Sequence, residues 1–497
     1  MKQFGIIKYK KTNILDNMKL VDALRTKNTV TENGMATNSS SLNSCVDLFF
    51  TIGAMRGQDK DRLIANFSSA LSEDPTRAMK ILFWVRDIRG GAGERQIFRD
   101  IMKYLAQDHT DALLKNIPYV SEYGRWDDLL YLVGTKLETE AFTQIRWGLD
   151  NQNGLCAKWM PRKGQVATKL RRFLGLEPKQ YRKLLVGLTK VVETQMCAND
   201  WENIDFGKLP SVASARYQKA FWNRNEAGYK AYIESLKKGE AKINAGAVYP
   251  YDITKSLKTG KSEVAIEQWK ALPNYMEGCD DRILPVVDVS GSMGTSAGGN
   301  PNVSCMDVSI SLGLYISERN IGAFQNAFIT FSAEPQLQVL SGDLKDRFLQ
   351  LSRADWGYNT DLVKVFDLIL DQAMKHSVPE SEMPTKILVL SDMEFDNATK
   401  TVSGWERKQI GTKWDVTAQE MIQQKYAAAG YKVPAIVYWN IQSRGNNIPV
   451  SFNETGTALI SGFSPSILKS VIKGEIVSPS QIMDDTIFAE RYSPIVA

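Results

Sequence analysis

Asp288, Ser290 and Ser292 close an apolar run, Ile283 to Gly294 (ILPVVDVSGSMG), and that pattern could hold a metal ion. A buried strand that ends in D-x-S-x-S and glycine offers three oxygen donors in the loop at its carboxyl end. Oxygen donors are hard, so the expected ion is Mg²⁺ or a similar hard divalent cation such as Mn²⁺. Aspartate and serine are also ordinary in turns and at helix N-caps, so these three residues alone leave both readings open. Two later loops strengthen the first. Trp356-Gly357-Tyr358-Asn359-Thr360-Asp361 precedes a helix-periodic segment, and the strand-like Lys386 to Leu390 (KILVL) runs into Ser391-Asp392-Met393. Open α/β sheets gather ligands at the carboxyl ends of their strands, so the three loops can converge on one ion.

A second constellation is cationic. Lys158-Trp159-Met160-Pro161-Arg162-Lys163 is followed by Lys169, Arg171, Arg172, Lys179, Arg182 and Lys183, with Trp159, Phe173 and Tyr181 interleaved. Clustered cations neutralise phosphates, and flat side chains stack on unpaired bases. The competing reading places Phe173 and Tyr181 in the core and the charges on a solvated helix face. The chain's net charge of +5 conceals a division: residues 1–274 carry 43 Lys and Arg against 30 Asp and Glu, and 275–497 carry 18 against 26. Residues 151–190 hold ten basic residues and one acidic residue, Glu177. Such asymmetry favours a polyanion-binding first half. Arg89-Gly90-Gly91-Ala92-Gly93-Glu94-Arg95 lacks the Gly-Lys-Ser/Thr ending of a phosphate loop and follows a helical pattern, so it reads as a turn between helices. Arg86, Arg89 and Arg95 beside it are candidates to face a ligand.

These groups must be positioned by two different kinds of structure. Up to residue 274 the signal is helical. Leu63, Ile64, Phe67, Ala70 and Leu71 share one face, Asp74-Pro75 reads as an N-cap and first-turn proline, and Ile97, Phe98, Ile101 and Leu105 mark a third helix. Further helices are expected at Gly124–Val133, Pro178–Met196 and Tyr217–Leu236, and the short helices suggest a solenoid-like stack without a regular repeat. Residues 1–30 are expected to form an arm or a short first element. After Asn274, strands and helices alternate: Ile283–Val289, Ala327–Phe331, Lys386–Leu390, Val433–Trp439 and Thr457–Ile460 read as strands of a mostly parallel, doubly wound sheet. The expected organisation is 1–274, 275–475 and a tail, 476–497. Five scattered cysteines and two histidines argue against a disulfide framework, a zinc site and histidine-based catalysis. With no leader pattern and no apolar run of membrane-spanning length, a soluble cytoplasmic protein is expected.

Asp288-x-Ser290-x-Ser292, then Thr360, then Asp392 resembles the metal-ion-dependent adhesion site of a von Willebrand factor A domain. The resemblance implies that both serines and Thr360 coordinate the ion, with Asp288 and Asp392 bound directly or through water. Hydroxyl ligands would leave the cation under-neutralised and favour an acidic group from a partner. Over nearly the whole chain, the TENG loop, RDIRGGAGER, YGRWDDLL, KWMPR and the D-x-S-x-S segment, in that order, are similar to TROVE-related proteins of the Ro ribonucleoprotein kind. They are more similar still to an uncharacterised viral and plant family of the same two-part build. The resemblance implies a HEAT-like helical ring closed by the A-type domain. It also implies binding of small structured RNA or of RNA with single-stranded ends; the expected protein is non-catalytic and monomeric, virus-encoded within a host cell. A metal-dependent protein scaffold without RNA is the alternative. Metal-assisted nuclease chemistry ranks third, because hydroxyls stand where clustered carboxylates would be needed and no general base is apparent.

Overall fold

The computed structural model describes residues 29–258, 262–297, 300–331, 334–354, 360–396, 417–445, 447–472 and 474–497. The expected N-terminal arm up to residue 28, and Trp356 to Asn359 of the third loop, lie outside the described residues.

A two-residue hairpin, β1 (Thr29–Val30) with β2 (Ala36–Thr37), leads into a succession of helices up to Lys270. Asp74 caps the helix Pro75–Arg86 by accepting from the Arg77 amide, with Pro75 in the first turn where a missing N–H costs nothing. Three segments depart from expectation. Gly124–Val133 is a 3-10 segment, Trp126–Leu132, because Asp128 binds the Arg125 amide and is itself drawn into an ion pair, so the turn tightens. The expected helix Pro178–Met196 stops at Leu188, where the β-branched Thr189, Val191 and Val192 turn the chain before a short helix, Val192–Cys197. Tyr217–Leu236 is two helices, Ser211–Arg224 and Glu226–Lys237, divided at Asn225, whose side chain caps the second.

Beyond Asp281 the chain builds a six-stranded sheet in the order β5-β4-β3-β6-β7-β8, from β3 (Ile283–Asp288), β4 (Ala327–Phe331), β5 (Leu337–Val339), β6 (Lys386–Ser391), β7 (Ala435–Asn440) and β8 (Thr457–Ser461). All neighbours are parallel except β4 and β5. Every residue of β3, β4, β6 and β8 is buried, as continuous apolar runs in a sheet covered on both faces require. Strand order reverses direction between β3 and β6, so their carboxyl ends open a crevice at which loops can meet.

One hydrophobic core runs without interruption from Met35 to Ile495, and a smaller one gathers Val192, Phe206, Phe221, Tyr229 and Ile233. The halves interlock. The helix Ser44–Ile52 lies against β8: Ser461 Oγ donates to the Phe49 carbonyl (2.8 Å) and accepts from the Gly53 amide (3.0 Å). In return, the segment after the sheet packs on the helical half. Its helix Pro479–Ile487 places Asp484 against Arg77 (2.8 and 2.9 Å), and Arg491 and Tyr492 both reach Asp87.

The glycine-rich turn is buried architecture. A Cβ on Gly91 would stand 1.9 Å from the Trp84 carbonyl oxygen, whose partner is the Ala92 amide. Gly91→Ala is therefore expected to destabilise the fold by about 2 kcal/mol or more, read from thermal unfolding, as overpacking of a closed site does.

Candidate functional site: a two-carboxylate cleft and a cationic face

β3 and β6 deliver two aspartates to the crevice. Asp288, fully buried as the last residue of β3, accepts from the Ser290 amide at 2.9 Å and from Ser391 Oγ at 2.6 Å. The first bond bends the loop so that the Ser290 and Ser292 hydroxyls lie 2.9 Å apart. Asp392 follows β6 and is 4% exposed; its Oδ1 accepts from the Glu394 amide at 3.3 Å. Its Oδ2 is buried without a hydrogen-bond donor, and the Arg444 guanidinium stands 3.5 Å away. Met393, between Asp392 and Glu394, takes a left-handed backbone conformation (φ 65°), a strain that persists where surrounding structure imposes it.

Both carboxyls titrate above the usual aspartate range. For Asp288 the causes are burial and then the charge of Asp392; for Asp392, burial dominates over the lowering influence of the nearby Ser292 hydroxyl and Arg444. Two buried carboxylates with a guanidinium at one edge form a site short of positive charge.

Thr360 stands just before the helix Leu362–His376, which Asp361 caps through the Lys364 amide at 3.2 Å. The Thr360 amide donates to Asp396 (2.7 Å), and its hydroxyl donates to the Glu394 carbonyl (2.7 Å). The same hydroxyl accepts from Asn33 Nδ2 at 3.2 Å. Thus Asp288, Ser290, Ser292 and Asp392 form one contact network, and Thr360 joins it through the 394–396 loop. Among the described residues no group of three or more His, Cys, Asp or Glu could hold a metal, so any ion here would rely on hydroxyls. One unpartnered carboxylate oxygen, a second carboxylate and paired serine hydroxyls are donors that suit a hard divalent ion.

Arg62 and Arg444 at this site carry no signal in the sequence, and Glu32 and Asn33 carry none beyond their place in the TENG loop. Asn33, from the turn between β1 and β2, also donates to the Glu394 carbonyl (2.7 Å), and the Glu32 amide donates to Glu394 Oε2 (2.7 Å), so the helical half roofs the crevice. Arg444, in the loop after β7, donates to the Ser292 carbonyl and to Thr295 Oγ1 (3.0 Å). Arg62, from the helix Lys60–Glu73, holds that loop through the carbonyls of Ser443 and Arg444 and through Ser443 Oγ (2.9 Å). Their one shared cue is position after a strand's carboxyl end or opposite it, which spacing alone does not reveal.

The cationic stretch divides in two. Lys158 pairs with Glu193 (3.6 Å), Lys169 with Glu138 (2.8 Å), and Arg171 donates to the Leu176 carbonyl (2.7 Å). Arg162, Lys163, Arg172, Lys179, Arg182, Lys183 and Lys190 are exposed, and among the described residues none of them is in an ion pair. Lys190 also lines a recess of about 520 Å³, with Gln152, Asn153, Gly154, Leu155 and Leu188 among others. The aromatics are committed elsewhere. Tyr181 is buried and donates to the Pro161 carbonyl (3.0 Å), Phe173 packs on Phe142 with Arg146 over its ring, and the Arg125 guanidinium covers Trp159 at 3.7 Å. Exposed apolar side chains near the recess are instead Trp147, Leu155 and Val186, which the sequence pattern does not distinguish from core.

Arg86 does not face a ligand. It is 4% exposed and pairs with Asp128 (2.8 Å), which also takes Arg99 (2.6 Å), so its charge is spent inside the helical half. Arg89 and Arg95 are exposed at the ends of the glycine turn.

Comparison with known sequences divides the chain as the fold does. A domain of unknown function, DUF2828, matches residues 31–152 and 162–278, and a second, DUF7788, matches residues 282–490. "Uncharacterized protein L728" of Acanthamoeba polyphaga mimivirus is 31% identical across 91% of this chain and 86% of the viral protein. The chain belongs to one family with that viral protein. No helix among the described residues is long and apolar enough to cross a membrane.

Proposed function

We propose that the protein is a non-catalytic RNA-binding protein of the Ro-like, TROVE-related kind. In this reading the helical half is a HEAT-like, ring-forming domain and the sheet a von Willebrand factor A-like domain whose adhesion-type site takes Mg²⁺ or Mn²⁺. The observation that carries it is the run of seven exposed cations from Arg162 to Lys190, outside ion pairs among the described residues, whose last member lines a recess of about 520 Å³. Solvated helix faces ordinarily intersperse both signs; here seven exposed cations on two helices, Gly164–Phe173 and Pro178–Leu188, and the turns beside them stand outside ion pairs among the described residues. Phosphates would bind the cations, and an unpaired base would enter the recess against Leu155.

The test is binding of a structured RNA with a single-stranded 3′ tail across a salt series, with and without chelator. Tight binding that falls steeply with salt and ignores chelator supports the reading. Absence of binding at low salt removes it.

A metal-dependent scaffold without RNA is favoured by a separate observation, the buried Asp392 Oδ2 that no donor satisfies. Ser290, Ser292 and Thr360 would supply hydroxyl ligands, with Asp288 and Asp392 direct or through water, and an acidic protein could complete the shell. Asp288→Ala is expected to abolish Mn²⁺ binding measured by calorimetry, and with it the capture of such a partner; capture that persists in Asp288→Ala and in chelator would remove this reading.

A further inference from the structure

Three polar atoms without hydrogen bonds lie along one path: Asp392 Oδ2, Arg444 Nε and Arg62 Nε, all buried. Unsatisfied buried groups are costly, and three that follow one another from the site to the helical half call for a common account. The path runs from the candidate cation site to the helical half. Arg444 stands 3.5 Å from Asp392 and donates to the Ser292 carbonyl, so it touches two residues of the five-residue site. Its own backbone carbonyl, and that of Ser443, are held by Arg62, and the Ser443 amide donates to the Ala54 carbonyl at 3.3 Å. The loop is therefore clamped from the helical half at its back and extends a cation into the site at its front.

We infer that Arg444 is the built-in competitor for this site: its guanidinium and a divalent ion contend for Asp392, and cation entry requires the 442–445 loop to withdraw and its Arg62 clamp to loosen. This rests on the adhesion-type reading of Asp288, Ser290, Ser292, Thr360 and Asp392. The physical reason is short. A guanidinium and a divalent cation on one buried carboxylate repel each other in a setting where water screens them poorly. Once withdrawn, Arg444 can give Nε and Nη to solvent, and Asp392 Oδ2 gains a ligand, so the orphaned atoms find partners together. Ion occupancy and the fit between the two halves are thus linked, and each must shift the other.

The experiment is Mn²⁺ titration of the full chain, followed by the paramagnetic resonance of free Mn²⁺, on wild type, Arg444→Gln, Arg444→Lys, Arg62→Gln and Asp392→Asn. Arg444→Gln is expected to bind Mn²⁺ at least tenfold more tightly than wild type, Arg444→Lys to stay close to wild type, and Arg62→Gln to fall between. Asp392→Asn should remove binding. Equal or weaker binding by Arg444→Gln, with wild-type binding still abolished by Asp392→Asn, overturns the competition and leaves the cation site standing. Absence of Mn²⁺ binding from both wild type and Arg444→Gln at millimolar ion overturns the site and the competition together. Hydrogen exchange at the Ser443 amide reads the link to the helical half: faster exchange on adding Mn²⁺ is expected, and unchanged or slower exchange overturns it.

Discussion

Replacing Asp128 with alanine is expected to lower stability by about 3–5 kcal/mol, the usual cost of leaving buried charges without their partner. Asp128 is fully buried and takes Arg86 on one oxygen (2.8 Å) and Arg99 on the other (2.6 Å), while the Arg125 amide donates to it as well at 2.9 Å. Removal strands the Arg86 guanidinium and leaves Arg99 only its pair with Asp127 (2.8 Å), both arginines being under 8% exposed. Urea unfolding followed by far-ultraviolet dichroism reads the loss directly. Aspartate to asparagine keeps the shape and half the acceptors, so it should cost less than alanine. Neighbouring Asp127 adds a pH signature. Burial alone would raise its carboxyl, but the Arg125 and Arg99 guanidiniums outweigh that and hold it below the usual aspartate value. A depressed carboxyl contributes stability that is present above its unfolded value, about 3.9, and is lost as pH falls through the folded one. Asp127's contribution to stability should therefore fade below about pH 4 in wild type, and Asp127→Asn should flatten the pH dependence of stability there.

The second large effect concerns RNA. Joint exchange of Arg172, Arg182 and Lys183 for glutamate is expected to weaken binding of a tailed, structured RNA by about 100-fold at low salt. Each cation that no longer neutralises a phosphate lowers the slope of log affinity against log salt by about 0.9, so the triple exchange should flatten the slope by about three. Gap and slope are linked: the two chains should converge as salt rises, because only the ionic contribution has been removed. All three side chains are exposed and outside ion pairs among the described residues, so folding should be little affected. Lys169 and Arg171 provide the contrast. They already serve Glu138 and the Leu176 carbonyl, and neutralising them should alter stability more than affinity. Equal loss from either set would mean that overall charge, and not this face, governs binding.

The five parallel strands were legible because they are short β-branched and leucine-rich runs, each followed by a polar turn, and burial on both faces leaves no room for other patterns; the exposed antiparallel edge β5 lacks that pattern. Asp288, Ser290, Ser292 and Asp392 were legible for the same reason, since a parallel strand's carboxyl end is where its next polar residue must lie. Arg444 was not. It sits in a polar loop, QSRG, 52 residues after Asp392, and only the β6-β7 pairing brings that loop to the site. Asn33 is farther still, and reaches Thr360 only because the halves interlock. Composition also misjudges the aromatics of the basic stretch. Trp159 looks available for stacking, yet Arg125, 34 residues earlier, covers its ring. Arg86 looked like a ligand-facing cation, and only the tertiary position of Asp128 shows its charge to be internal. Helix ends failed where a local side chain outweighed periodicity, as at Asn225 and in the Thr189–Val192 turn.

The interlocking of Ser44–Ile52 with β8 bears on how the chain is made. Phe49 and Ser461 are 412 positions apart, and the face that Ser44–Ile52 presents to β8 is apolar. At roughly 5–20 residues per second, a ribosome needs about 20–80 s to synthesise what lies between them. Over that interval Phe49, Phe50 and Ile52 have no β8 to cover them, so the nascent helical half is a natural client for a holding chaperone. Native assembly then finishes only after the last strand emerges.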